Sequence, residues 1–291
     1  MSHHHHHHSG NIKFAFFLNL GFTIIEIVGG IFTNSMAILA DALHDFGDSV
    51  SLGTAWYFDN LSHKKRDKSY TYGYKRFSLI GAIVNALILL TGSVFIISET
   101  VPRLFNPQTP DTEGMIWLAI LGVIVNGLAV FRLKKGHTMN EKVVYLHLLE
   151  DVLGWIAVLI GAIIMHFYEL PIIDPLLSIG ISLFILFNVF KSLKSVFGIL
   201  MQGVPQDTNT KEIKKYILSL EGVLEVHDLH IWSMDGDYNV LTAHVVMEGK
   251  PSMDDLSPIK KEIHDNLHKF NINHATLEFE MEDEECVLVD C

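Results

Sequence analysis

Six apolar runs, each roughly the twenty residues a bilayer-crossing helix needs, fill the first two-thirds of the chain. They fall at about 12–32, 36–59, 77–98, 114–133, 143–167 and 173–197. After Met201-Gln202-Gly203-Val204-Pro205 the pattern changes. Thr208 to Leu220 has the mixed polar and apolar spacing of an amphipathic helix, and Asp254 to Phe270 has it again. Between and after them Val223 to Ser233, Asn239 to Glu248 and Ala275 to Met281 read as strands. The first two strands are joined by Met234-Asp235-Gly236-Asp237-Tyr238, whose Asp-Gly step suits a hairpin. The predicted fold is an α-helical membrane protein, six transmembrane helices followed by a small two-layer α+β domain of order αββαβ. Residues 1–10 (Met-Ser, six His, Ser-Gly) have the form of an expression tag and are set aside. The expected divisions are a transmembrane domain at 11–200, a linker at 201–207 and a soluble domain at 208–291 with an acidic tail.

Charge gives these spans a direction. The connection between the second and third holds Lys64, Lys65, Arg66, Lys68, Lys75 and Arg76, and that between the fourth and fifth holds Arg132, Lys134, Lys135 and Lys142. The three opposite connections contain only Arg103. The positive-inside rule therefore predicts that both basic connections and both termini are cytoplasmic. Residues 1–205 are balanced, with 14 Lys/Arg and 14 Asp/Glu, while residues 206–291 carry 7 Lys against 19 Asp/Glu and account for the whole −12. An acidic soluble domain disfavours nucleic acid as a partner and agrees with cation handling. The two cysteines, Cys286 and Cys291, imply no disulfide framework.

The second span departs from its apolar setting at Asp41, His44, Asp45 and Asp48, and the fifth at His147, Glu150 and Asp151. Both contain His-x-x-x-Asp, as His44/Asp48 and His147/Asp151. Residues four apart share a helix face, so each span offers an imidazole beside a carboxylate, and two such faces form a two-nitrogen, two-oxygen pocket suited to tetrahedral zinc. In a soluble helix the same spacing is an ordinary surface pair. At bilayer depth each ionisable group costs about 2.5–3.5 kcal/mol even on the mildest scale, which argues for a shared purpose. Asp41 lies near the face of His44 and suits a supporting acid, a proton relay or an interhelical hydrogen bond. Asp45 is expected at the mouth or in packing, Glu150 to face away, and Asn19, Glu26 and Asn126 to join helices as polar contacts. No His-Glu-x-x-His motif or comparable base-bearing ligand set is present, so an intramembrane metalloprotease is set aside and no enzyme is expected.

The six spans, the stretch Asn34 to His44 (Asn-Ser-x-Ala-x-x-x-Asp-Ala-x-His), the partner pair on the fifth span, Tyr72-Gly73-Tyr74-Lys75-Arg76, and Val226-His227-Asp228-Leu229-His230-Ile231-Trp232 together resemble the cation diffusion facilitators. The resemblance covers the chain after the tag. It implies a homodimeric exporter in a lipid bilayer that exchanges divalent metal for protons, by alternating access around His44, Asp48, His147 and Asp151, with a ferredoxin-like soluble domain. Two His with two Asp implies zinc, and imidazole agrees with that choice. Broader selectivity for cobalt, cadmium or nickel, or a membrane-bound zinc sensor, are the alternatives. The absence of long loops suggests a bacterial inner membrane.

His244 lies within the second predicted strand and His227 in the first, so they can meet across the hairpin, with Glu280 near the end of the third. By resemblance, His227, His244 and Glu280 match a cytoplasmic zinc site that favours closure of the paired soluble domains. His230, three residues from His227, is expected to face the other way by strand alternation. His264, His274 and Glu278 are candidates for a second metal, with Cys286 and Cys291 as loose additions. Gln202 stands where bacterial relatives have an Asp paired with a basic residue at the start of the third span, so another contact is expected there. The His-rich loop of many vesicular zinc transporters is reduced to His137.

Overall fold

The computed structural model describes residues 8–62, 66–133 and 139–284. Lys64, Lys65, Lys134, Lys135, His137, Cys286, Cys291 and tag residues 1–7 lie outside the described residues. The chain divides into two compact units, one formed by Met1–His63 and Ile80–Leu193, the other by Lys64–Leu79 and Lys194–Cys291.

The long helices are α1 (His8–Thr33), α2 (Met36–Ser62), α3 (Phe77–Phe105), α4 (Thr112–Leu133), α5 (Met139–Tyr168) and α6 (Ile173–Leu200). Among the described residues α1, α3, α4, α5 and α6 are long and apolar enough to cross a membrane. α2 has the length, 27 residues, and is set apart by Asp41, Asp45 and Asp48. In the first unit α1 packs along α2 and α4, α4 along α5, and α2 touches α5. The packing is of large side chains against small ones. Phe22, Ile38, Met115 and Trp155 are buried together with Ala37, Ala119 and Ala162. α3 and α6 meet through Ala86, Ile185 and Val189, and Thr100 and Ser178 share a hydrogen bond of 3.1 Å between their hydroxyls. Outside, Phe32, Leu128, Phe131, Phe187 and Phe190 are exposed. Helices apolar on both their packed and open faces are suited to lipid.

In the second unit α7 (Thr210–Leu218) and α8 (Met253–Leu267) cover one face of a sheet of β1 (Val223–Ser233), β2 (Asn239–Met247) and β3 (Ile272–Met281). The strand order is β1-β2-β3, with β1 antiparallel and β3 parallel to β2. The αββαβ order is the predicted one. Ile213, Ile217, Ile263 and Leu267 of the helices bury Val226, Ile231, Leu241, Ala243 and Val245 of the sheet. Asn209 caps α7, and Ser252 and Asp255 form a capping box on α8. The Ser252 hydroxyl and backbone N–H hold the Asp255 carboxyl below its usual range.

The α2–α3 connection belongs to this unit. Tyr74 donates to Asp67 at 2.6 Å, Tyr72 meets the ring of His274 edge-on at 5.7 Å, and Lys75 Nζ lies 3.7 Å from Asp235 and 4.5 Å above the ring of Tyr238. Lys75, one of the two basic residues preceding α3, thus finds its carboxylate on the β1–β2 hairpin. Gln202 instead ends α6 in the left-handed region, at φ 58°.

Gly122 allows a close approach of α4 to α5, since a Cβ there would fall 2.2 Å from the ring of Trp155. Trp155 is one turn beyond Asp151 and has 1% exposure, so it cannot yield without moving α5. Gly122→Ala is expected to destabilise the helix unit by about 1–3 kcal/mol, the usual cost of overpacking. Gly127→Ala, on the same helix with nothing within 4 Å, should cause no loss and, by helix propensity, a slight gain. Thermal unfolding in detergent, comparing the two, checks this.

Candidate metal centres

α2 and α5 run in opposite directions where they touch, and this places the two His-x-x-x-Asp pairs head to tail. His44 Nε2 lies 3.6 Å from Asp151 Oδ1, and His147 Nε2 lies 2.9 Å from Asp48 Oδ2. Within α2 the His44–Asp48 separation is 3.9 Å, and the two imidazoles meet edge to face at 5.8 Å. One ligand atom from each of His44, Asp48, His147 and Asp151 lies within 4.8 Å of all the others. The geometry is that of four donors around a common point. Among the described residues Asp151 Oδ1 is buried with no hydrogen-bond partner, an unmet acceptor 3.6 Å from His44 Nε2. A cavity of about 240 Å³ opens beside it, bordered by His44, Asp48, His147, Asn85, Asn188 and Ser192.

Several neighbours hold this helix face in place. Asp174, at the start of α6, is buried and accepts from the Ser35 hydroxyl at 2.6 Å and from the backbone N–H groups of Met36 and Ala37 at 2.8 and 3.2 Å. A carboxylate there satisfies orphan N–H groups of the first turn of α2 and complements its dipole. Asn19 of α1 donates to the Asp45 carbonyl at 2.9 Å and to Ser49 Oγ at 3.1 Å, the helix-joining role expected of it. Asn126 instead donates to the Gly122 carbonyl of its own helix. Asp41 and Asp45 are both buried, so neither sits at a mouth. Glu150, expected to face away, is exposed and borders the same cavity. It lies about 100° round the helix from Asp151, and its long side chain still reaches the rim.

A second group forms on the open face of the sheet. His227 and His244 are directly paired across β1 and β2, and Glu280 stands on β3. Glu280 receives a contact of 2.5 Å from His244 Nδ1, and its other oxygen lies 3.2 Å from His227 Nε2. Ligand atoms of His227, His244 and Glu280 also fall within 4.8 Å of one another. Among the described residues His227 Nε2 is buried without a hydrogen-bond partner of proper geometry, so this donor set fits a metal ion. The alternation argument for His230 fails here. A bulge between His227 and His230 places His230 opposite Thr242, on the same face as His227 and His244, and lets both Val226 and Ile231 point into the core. His230 remains outside the ligand group and contacts Asp228 instead, at 2.7 Å. Among the described residues His264, His274 and Glu278 do not come together as a ligand group; His264 is exposed on α8 and His274 packs on Tyr72.

A membrane-spanning helical unit with a four-donor His/Asp cluster, joined to an α+β domain with a cluster of its own, defines a class of cation-handling membrane proteins. Residues 12–201 match the family described as the cation efflux transmembrane domain, and residues 205–282 match the cation efflux protein cytoplasmic domain. The chain belongs to this family, the cation diffusion facilitators, whose members are metal-cation transporters and not enzymes. It is accordingly a multi-pass membrane protein with a cytoplasmic α+β domain. The "Cadmium, cobalt and zinc/H(+)-K(+) antiporter" of Bacillus subtilis (strain 168) is 34% identical over 272 residues, covering 92% of this chain and 88% of that protein. The "Metal cation efflux system protein CzcD" of Cupriavidus metallidurans is 36% identical over 286 residues, covering 96% and 90%. The "Zinc transporter ZitB" of Yersinia pestis is 32% identical over 287 residues, covering 97% and 90%.

Asp174→Ala removes all three acceptor contacts at the start of α2. Hydrogen bonds to a charged group contribute about 1.5–3 kcal/mol each, so a loss of several kcal/mol is expected, read as a lower unfolding temperature in detergent. Asp174→Asn, which keeps one acceptor oxygen, should fall between.

Proposed function

We propose that this chain exports zinc from the cytoplasm in exchange for protons, working as a homodimer in a bacterial plasma membrane with both termini on the cytoplasmic side. The observation that carries the reading is the cross-helix group His44, Asp48, His147 and Asp151. Two imidazoles and two carboxylates suit a borderline ion such as zinc better than harder cations, which prefer all-oxygen shells. Loading requires neutral imidazole and ionised carboxylate, so metal and protons compete for the same atoms. Zinc entering from the cytoplasm displaces protons, and protons arriving from the other side displace zinc. A bundle that opens this group to one side at a time converts the competition into antiport. The basic α2–α3 and α4–α5 connections support the orientation.

In the cytoplasmic domain, His227, His244 and Glu280 hold a resident zinc ion that ties together β1, β2 and β3 and favours closure of the paired domains. A broader cargo is the second reading. It is supported by the printed name of the Bacillus relative, which includes cadmium and cobalt, and soft or borderline ions fit the same donors.

The test is zinc flux into proteoliposomes under an imposed pH gradient. The native chain should move zinc and dissipate the gradient, and both His147→Ala and Asp48→Ala should abolish flux. Lowering the pH on the loading side should raise the zinc concentration needed for half-maximal flux, because protonation removes the ligands. Flux that survives both substitutions would place the pathway elsewhere. Cadmium or cobalt that competes with zinc in the same assay establishes the broader cargo.

A further inference from the structure

Asp228 sits in the bulge of β1, between the two residues whose register brackets it, His227 and His230. Its backbone is left-handed, φ 47°, a region where residues other than glycine are uncommon. A bulge of this type ordinarily takes Gly at that position. An Asp there carries some backbone strain, and strain at a cluster of ligating groups invites a functional explanation. The side chain it supplies is 11% exposed and lies between two imidazoles. Oδ1 is 2.7 Å from His230 Nε2, and Oδ2 is 3.6 Å from His244 Nε2.

The ring of His244 is therefore flanked by carboxylates at both nitrogens. Nδ1 faces Glu280 and the ligand group, and Nε2 faces away from it, towards Asp228. Glu278 also approaches Nε2, at 3.5 Å, but it is 69% exposed and free to turn into solvent. A histidine that binds metal through one nitrogen commonly gives its other N–H to a carboxylate or carbonyl, which sets the tautomer and aims the ring.

We propose that Asp228 is the positioning residue of the cytoplasmic metal site: its carboxylate, 3.6 Å from Nε2, attracts that edge of the His244 ring and is placed to accept its N–H when Nδ1 is presented to zinc, and the bulge brings the carboxylate there. This rests on the reading of His227, His244 and Glu280 as metal ligands. The carboxylate favours the ring orientation that zinc binding requires, so its removal weakens binding without removing a ligand. His230, on the outer oxygen, orients the carboxylate in turn.

The left-handed backbone provides the test. Zinc titration would use the full chain with residues 1–10 removed, so that the six His of the tag hold no metal, and with Asp48→Ala and Asp151→Ala to silence the membrane site. In that background Asp228→Gly should weaken zinc binding about 10–100-fold, the usual effect of losing such a partner. Glycine suits the backbone, so urea unfolding of the same metal-free full chain, followed at Trp232 of β1, should be unchanged or slightly more resistant. Asp228→Asn, which tolerates the same backbone and keeps an acceptor, should recover part of the affinity. Unchanged affinity in Asp228→Gly, or a loss matched by equal destabilisation of the metal-free chain, would overturn the proposal. His244→Ala serves as the control for the underlying reading. Affinity that survives it would remove the metal site itself, whereas affinity lost in His244→Ala but kept in Asp228→Gly removes only the role of Asp228.

Discussion

Four ionisable side chains face one another between α2 and α5, two long helices of the membrane-spanning unit. Such groups are costly at bilayer depth, and the cost is offset only if they share protons or a cation. The antiparallel contact of α2 and α5 provides the sharing, because it sets each imidazole against the carboxylate of the opposite helix. Much of the helix unit serves this contact. Asp174 and Asn19 fix α2 from α6 and α1, and the Gly122–Trp155 approach sets how closely α4 lies on α5.

The two donor groups use the same chemistry in different settings. The helix-borne group is partly open, with side-chain exposures of 26% for Asp48 and 40% for His147. The sheet-borne group is more enclosed, at 10% for His244 and 7% for Glu280. An open face suits cargo that has to leave, while an enclosed one suits an ion that stays. One group is shared between side chains of two separate helices, whereas the other is borne on three strands joined by a hydrogen-bonded ladder.

Much of this could be read from the residues. The apolar runs placed six helices, five of them within about four residues of their observed ends, while α3 runs on past the expected 98 to Phe105; the spacing of four picked out both His44 with Asp48 and His147 with Asp151, which the structure brings into one group. Strand alternation found β1, β2 and β3. What escaped is what local pattern does not encode. Asp174 reaches Met36 across a sequence separation of 138, which no periodicity announces. His230 was misplaced because alternation assumes an unbroken pleat, and the left-handed Asp228 breaks it. The Lys75–Asp235 pair was hidden for a similar reason, since it joins a loop to a hairpin far along the chain. Glu150 shows the converse limit, because a helical wheel fixes where a Cβ points and not how far a long side chain reaches.

The measurement that bears most directly on the central claim is X-ray absorption at the zinc edge. It would use the tag-free chain in lipid, with His227→Ala and His244→Ala to silence the cytoplasmic group and one equivalent of zinc bound. The expected shell is four-coordinate, two imidazole nitrogens and two carboxylate oxygens at about 2.0–2.2 Å, with one imidazole lost in His147→Ala. A six-coordinate oxygen shell, or an imidazole count indifferent to His147, would contradict the assignment of the α2–α5 group as the zinc-binding centre.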